Sequence, residues 1–164
     1  MRRQILALLL LLQCSMKSLP KILLALIAVA TTSFFSVQPA QAFTVTVDQV
    51  GSNVVATGSG AFNLTGLNFV ENTISGVAAI QANQGVISIG PGSKANVSVY
   101  TGFTGPTSFG SGDTFLANTS SGDWVVLGGL GLFLPQGYVS GHALSDSMTF
   151  NNATFASLGL TPGT

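Results

Sequence analysis

"GVISIGPGSKANVSVY", residues 85–100, decides the fold class. Two short runs, GVISI (85–89) and NVSVY (96–100), are rich in the β-branched side chains that suit a pleated strand. Between them GPGSK (90–94) supplies turn formers, so the stretch predicts a β-hairpin. The same texture continues outward. TVTVD (44–48) alternates strictly and predicts a half-buried strand, and NVVAT (53–57), after Gly51-Ser52, returns against it. GSGAFNLTGLNF (58–69) alternates around Phe62, Leu64 and Leu67, with glycines marking a bulge or turn. DTFLA (113–117), DWVVLGGLGLFLP (123–135, broken at Gly128-Gly129), GYVSG (137–141) and SMTFNNATF (147–155) complete the series. Only ENTISGVAAIQANQ (71–84) admits a short helix. Eight to ten short strands at this spacing predict an all-β protein, an antiparallel β-sandwich of jelly-roll-like form. No fixed-period repeat points to a propeller or solenoid.

The N-terminal residues have a different character. Met16 opens MKSLPK, with Lys17 and Lys21, followed by the apolar run ILLALIAVATTSFF (22–35) and then SVQPAQA. Ala40 and Ala42 form the small-residue site of a signal peptidase, which makes Phe43 the first mature residue. The run is short for a bilayer span, which needs about 20 apolar residues. Residues 1–15 form a redundant extension, because Met16 begins a complete leader; a mis-called start accounts for them. Cys14 is preceded by Gln13 where a lipidated cysteine needs a small residue, so no lipid anchor is expected. The domain organisation is therefore 1–15 extension, 16–42 signal peptide, and 43–164 one β-sandwich domain.

Processing at Ala42 removes Arg2, Arg3, Lys17 and Lys21. Lys94 then stands alone against Asp48, Glu71, Asp113, Asp123 and Asp146, a net charge of about −4. Such a surface has no cationic field for phosphates, which excludes nucleic acid as a partner. The one cysteine also leaves with the leader, so an exported domain must rely on its apolar core instead of disulfides. All 20 glycines lie after residue 42.

Chemistry-bearing constellations are sparse. His142 is the only histidine; Ser140, Ser145 and Asp146 lie near it in sequence, but loop neighbours seldom converge, and no G-x-S-x-G elbow occurs. A hydrolase centred on His142 is the weakest alternative. SGD recurs at Asp113 and Asp123, two hard oxygen ligands that make weak calcium candidates; each loop carries one acid, whereas calcium loops gather several, so turn capping is the expected role. Tyr100 and Tyr138, beside glycine-rich loops, are weak glycan-contact candidates and define a second alternative, a carbohydrate-binding module. Neither a cofactor nor a catalytic residue is expected.

YTGFTGPTSFGSGD (100–113), LPQGYVSGHALSDSMTFNNATFASLGLTPGT (134–164) and, more weakly, GAFNLTGLNF (60–69) resemble exported bacterial proteins of the PEP-CTERM type, substrates of exosortase-type sorting enzymes. The resemblance implies a non-enzymatic cell-surface or biofilm-matrix protein. Its implied partners are signal peptidase and the export machinery, then polysaccharide or surface matrix, with no stable membrane span after processing. It carries over no catalytic residues. In the family the segment matching LGLTPGT continues into an aromatic strand and a Pro-Glu-Pro anchor, neither of which follows Thr164. The resemblance thus implies a domain lacking its last strands, either truncated or released from its anchor, that exposes a sheet edge.

Overall fold

The first hairpin forms as the alternation dictates. In the computed structural model, which describes residues 42–129 and 131–163, β1 (Thr44–Val50) turns at Gly51-Ser52 into β2 (Asn53–Gly60), in register from Thr44↔Ser59 to Val50↔Asn53. The extension 1–15 and the leader residues 16–41 lie outside the described residues.

Nine further strands follow: β3 (Asn68–Ser75), β4 (Ala79–Gln81), β5 (Val86–Ile89), β6 (Ala95–Thr101), β7 (Thr114–Leu116), β8 (Thr119–Gly122), β9 (Val125–Gly128), β10 (Gly131–Pro135) and β11 (Leu144–Phe150). They build two antiparallel sheets, one ordered β1-β2-β11-β8 and the other β3-β6-β10-β9-β5-β4-β7. The all-β sandwich expected from sequence is thus the architecture. Where a helix was admitted, the chain instead forms β3, β4 and a single 3-10 turn, Ala82–Gln84.

The hairpin expected between β5 and β6 does not form. The two strands share a sheet, but β9 and β10 lie between them: β5 pairs with β9 through Ile87↔Leu127, and β6 with β10 through Val99↔Phe133. WVVLGGLGLFLP is the hairpin that fills the gap, with Leu132 opposite Leu127 across the glycine-rich break. Apolar side chains on consecutive residues suit a strand covered on both faces, hence a place inside the sheet. Glycine content misled because Gly90 answers a packing demand. A Cβ there would collide with Cε3 of Trp124, so its absence lets the indole lie against the backbone. The GPGSK segment is consequently an arch over two strands.

One other expected strand, GYVSG, is a turn, and the strand expected over 147–155 stops at Phe150 and coils beyond it. In GYVSG, Tyr138 N–H donates to the Pro135 carbonyl and His142 N–H to that of Val139. In ATFASLGL, Thr154 N–H donates to Ser157 Oγ (2.8 Å) while Ser157 N–H donates to Thr154 Oγ1 (3.1 Å). This reciprocal capping draws the backbone into a coil in place of an extended strand. The coil docks on residues 109–112: Ser111 and Gly112 N–H both donate to the Gly159 carbonyl, and Thr161 N–H donates to that of Phe109.

Both sheets feed one core. β2 contributes Val54 and Ala56, and β11 contributes Leu144, Met148 and Phe150. Ile80, Ile89, Val97, Trp124, Val125, Leu132 and Leu134 come from the larger sheet and its borders. A large side chain fully buried in this way contributes about 1.5–3 kcal/mol.

The docking of residues 154–160 depends on Gly112, where a Cβ would strike the Leu158 carbonyl. Gly112→Ala is expected to lower stability by about 1–3 kcal/mol, the usual cost of overpacking. Urea unfolding followed by Trp124 fluorescence checks this; an unchanged midpoint contradicts the packing account.

Candidate functional site

The residues singled out in the sequence do not assemble into one site. His142 is exposed, and its Nδ1 lies 3.1 Å from the Ala143 carbonyl. Ser140 Oγ accepts from Leu64 N–H at 2.9 Å and donates to Asn63 Oδ1 at 3.4 Å, so it serves the neighbouring loop. Ser145 Oγ lies in strand β11, and the Ser145 N–H donates to Asp123 Oδ2 at 2.9 Å. The sequence neighbours Ser140, His142 and Ser145 therefore bond to different partners, none of them to one another.

Asp113 and Asp123 are also separated in role. Asp113 is exposed and its Oδ1 accepts from Thr114 N–H (2.9 Å), a local turn bond. Asp123 ties the β8–β9 junction to β11 through both its carboxylate and its backbone N–H, which donates to the Ser145 carbonyl. Among the described residues no three His, Cys, Asp or Glu side chains gather into a metal cluster.

Tyr138 has its hydroxyl committed to the backbone. It accepts from Phe62 N–H (2.8 Å) and donates to the His142 carbonyl (2.7 Å), with the Phe62 carbonyl at 3.2 Å as a competing acceptor. The ring thereby clamps the 61–63 segment to the 138–142 turn. Tyr100 sits opposite Phe69 on β3, and the two rings meet edge to face with centroids 5.8 Å apart. Both tyrosines are half-buried.

Sequence reasoning missed two features. The first is a cleft of about 510 Å³ between the sheets. Val45 and Val47 of β1 line one side, and Ile87 and Leu127, directly opposed in the β5–β9 ladder, line the other. Ile89 and Val125, two residues further along the same faces, are fully buried, so the core stops short here. Phe103 and Phe109 from the loop after β6, with Phe155 and Leu160, complete the apolar lining, and no charged side chain reaches it. Its size suits a small ligand. The signal in sequence was the repeated phenylalanine of YTGFTGPTSFG, legible only once that loop is known to lie over a sheet.

The second is Asp146. In LSDSMTF it occupies the inward phase together with Leu144, Met148 and Phe150, and it is only 5% exposed. Neither carboxylate oxygen has a hydrogen-bond partner among the described residues. Burial, chiefly, and the neighbouring Asp123 carboxylate push its pKa up from 3.8 to about 7; the Gly58 backbone N–H pulls the other way without reaching hydrogen-bond geometry. Strict alternation across 144–150 would have placed this acid in the core.

No protein family, no curated protein and no solved structure matches this chain. The functional argument therefore rests on its own residues.

Tyr138→Phe is expected to cost about 1–3 kcal/mol, since it leaves the part-buried Phe62 N–H unpaired. Thermal unfolding measures it. A variant as stable as the parent that loses retention on a glycan would instead make Tyr138 a ligand contact.

Proposed function

We propose that the chain is an exported, non-enzymatic protein of the cell surface or extracellular matrix, of the PEP-CTERM type. One observation carries most of this reading: β1 starts at Thr44, just past the expected cleavage site. Ala42 is exposed, whereas Phe43 stacks on Phe62 with ring centroids 4.7 Å apart, and β1 starts at Thr44. A peptidase cutting between Ala42 and Phe43 would leave the β-sandwich whole. The sparsely charged surface and a core without disulfides agree with a domain that functions by packing and adhesion. The divergent placement of Ser140, His142 and Asp146 gives no support to a hydrolase.

The experiment is secretion of the full chain from a bacterial host, followed by N-terminal sequencing of the exported species and fractionation of cells, matrix and medium. A start at Phe43 with recovery in the surface or matrix fraction is expected. Retention of an uncut chain in the cytoplasm overturns the reading.

The cleft favours a second reading, a binding module for a small, uncharged, largely apolar molecule. Glycan recognition needs hydroxyl partners, and the cleft presents mainly valine, leucine, isoleucine and phenylalanine. Titration with the fluorescent probe N-phenyl-1-naphthylamine is expected to saturate at one molecule per chain. Leu127→Asp should weaken it at least about tenfold by placing a charge against the ligand. Non-saturating binding, or no effect of the variant, removes this reading.

A further inference from the structure

The surroundings of Asp146 are specific. Across the smaller sheet one inward row reads Val45, Gly58, Asp146, Gly122, from β1 through β2 and β11 to β8. Both lateral neighbours of the acid are glycine. The carboxyl group fills the space over Gly58: a Cβ on that residue would collide with Asp146 Oδ1 and stand 2.7 Å from Cζ of Phe43. Phe43 and the Asp146 carboxyl group thus meet over Gly58, and both carboxylate oxygens are without a hydrogen-bond partner among the described residues. Phe43 immediately precedes β1, and among the described residues β1 is an edge strand paired on one side, with β2. The same strand forms one wall of the cleft through Val45 and Val47.

We propose that Asp146 is a pH-sensitive latch on edge strand β1, firm when the carboxyl group is neutral and loosened when it ionises. A neutral carboxyl group can stay dry beneath Phe43. An ionised one, with no cation beside it among the described residues and only the Gly58 N–H nearby to offset its charge, draws water toward the Gly58 row, and the cover over that row is Phe43, just before β1. Other charges do not relieve it. Asp123, at the β8–β9 junction, bears the same sign and adds to the strain. β2 and β8 contribute no ionisable side chain; β1 offers only Asp48, which is exposed and lies three register positions from Val45, opposite Val55. His142, Lys94 and Glu71 are exposed, and Tyr100 is paired with Phe69 in the other sheet.

The direction follows from proton linkage. The folded chain holds a proton up to about pH 7 that the unfolded chain releases near 3.8. Stability is therefore fullest below the lower value, declines as pH rises between the two, and is lowest above the upper one.

Hydrogen exchange of the β1 amides, corrected for intrinsic rate and compared at pH 5 and pH 8, tests the latch in the full chain. Protection of residues 44–50 is expected to fall at the higher pH, together with the melting temperature. Asp146→Asn, which cannot ionise, should show the same protection at both values. The latch is overturned by pH-independent protection of β1 in the parent, or by a pH response that survives in Asp146→Asn. Should that variant not fold, Asp123→Asn decides: removal of the neighbouring charge should lower the midpoint of the transition, and an unmoved midpoint overturns the proposal. None of these measurements depends on what the cleft binds, so the latch and the binding reading stand or fall separately.

Discussion

Contact between the inner face of the β2–β11 pair and the large sheet is the constraint on which the rest of the structure depends. The folded domain has no cysteine and few charges, so closure of two sheets over one apolar core has to hold it. Val54, Ala56, Met148 and Phe150 from one side meet Ile89, Trp124, Val125 and Leu134 from the other in a single buried cluster. To make that contact the chain crosses between sheets at β2–β3, β7–β8, β8–β9 and β10–β11. The crossing connections carry Asp123, Tyr138, Ser140 and His142, whereas Tyr100, Ser145 and Asp146 lie in strands.

That arrangement explains why the polar residues are so often structural. Tyr138, Ser140, Asn63 and Asp123 all bind backbone groups that the crossings leave without a ladder partner. The features left over are an unfilled part of the core beside edge strand β1 and a carboxyl group on the interior strand β11 with no hydrogen-bond partner among the described residues. An edge strand is stabilised from one side only, so a ligand or a proton can shift its position at low cost.

Much of the strand content was legible, and the reasons differ by element. TVTVDQVGSNVVAT read correctly because its partner is the next segment and a two-residue turn fixes the register. GVISIGPGSKANVSVY read wrongly in its pairing although both strands exist, because alternation identifies a strand without naming its neighbour. SMTFNNATF was read too long: β11 stops at Phe150, and beyond it Thr154 and Ser157 cap one another and coil the chain. At the candidate site, Asp146 was available from the phase of LSDSMTF, whereas the cleft was not, since its walls come from residues 45–47, 87, 127 and 155–160.

The sequence by itself determined the all-β class, the absence of disulfide support in the folded domain, the weak negative charge and an expected leader ending at Ala42. These are properties of composition and short-range period, which a chain carries before it folds. Tertiary structure alone decided which strands became neighbours, that β9 and β10 would separate β5 from β6, and that Gly58 would make room for a buried acid. Hydrogen-bonding and packing partners far apart in the chain are selected by how the whole set of apolar faces can be buried at once. No local pattern encodes that choice.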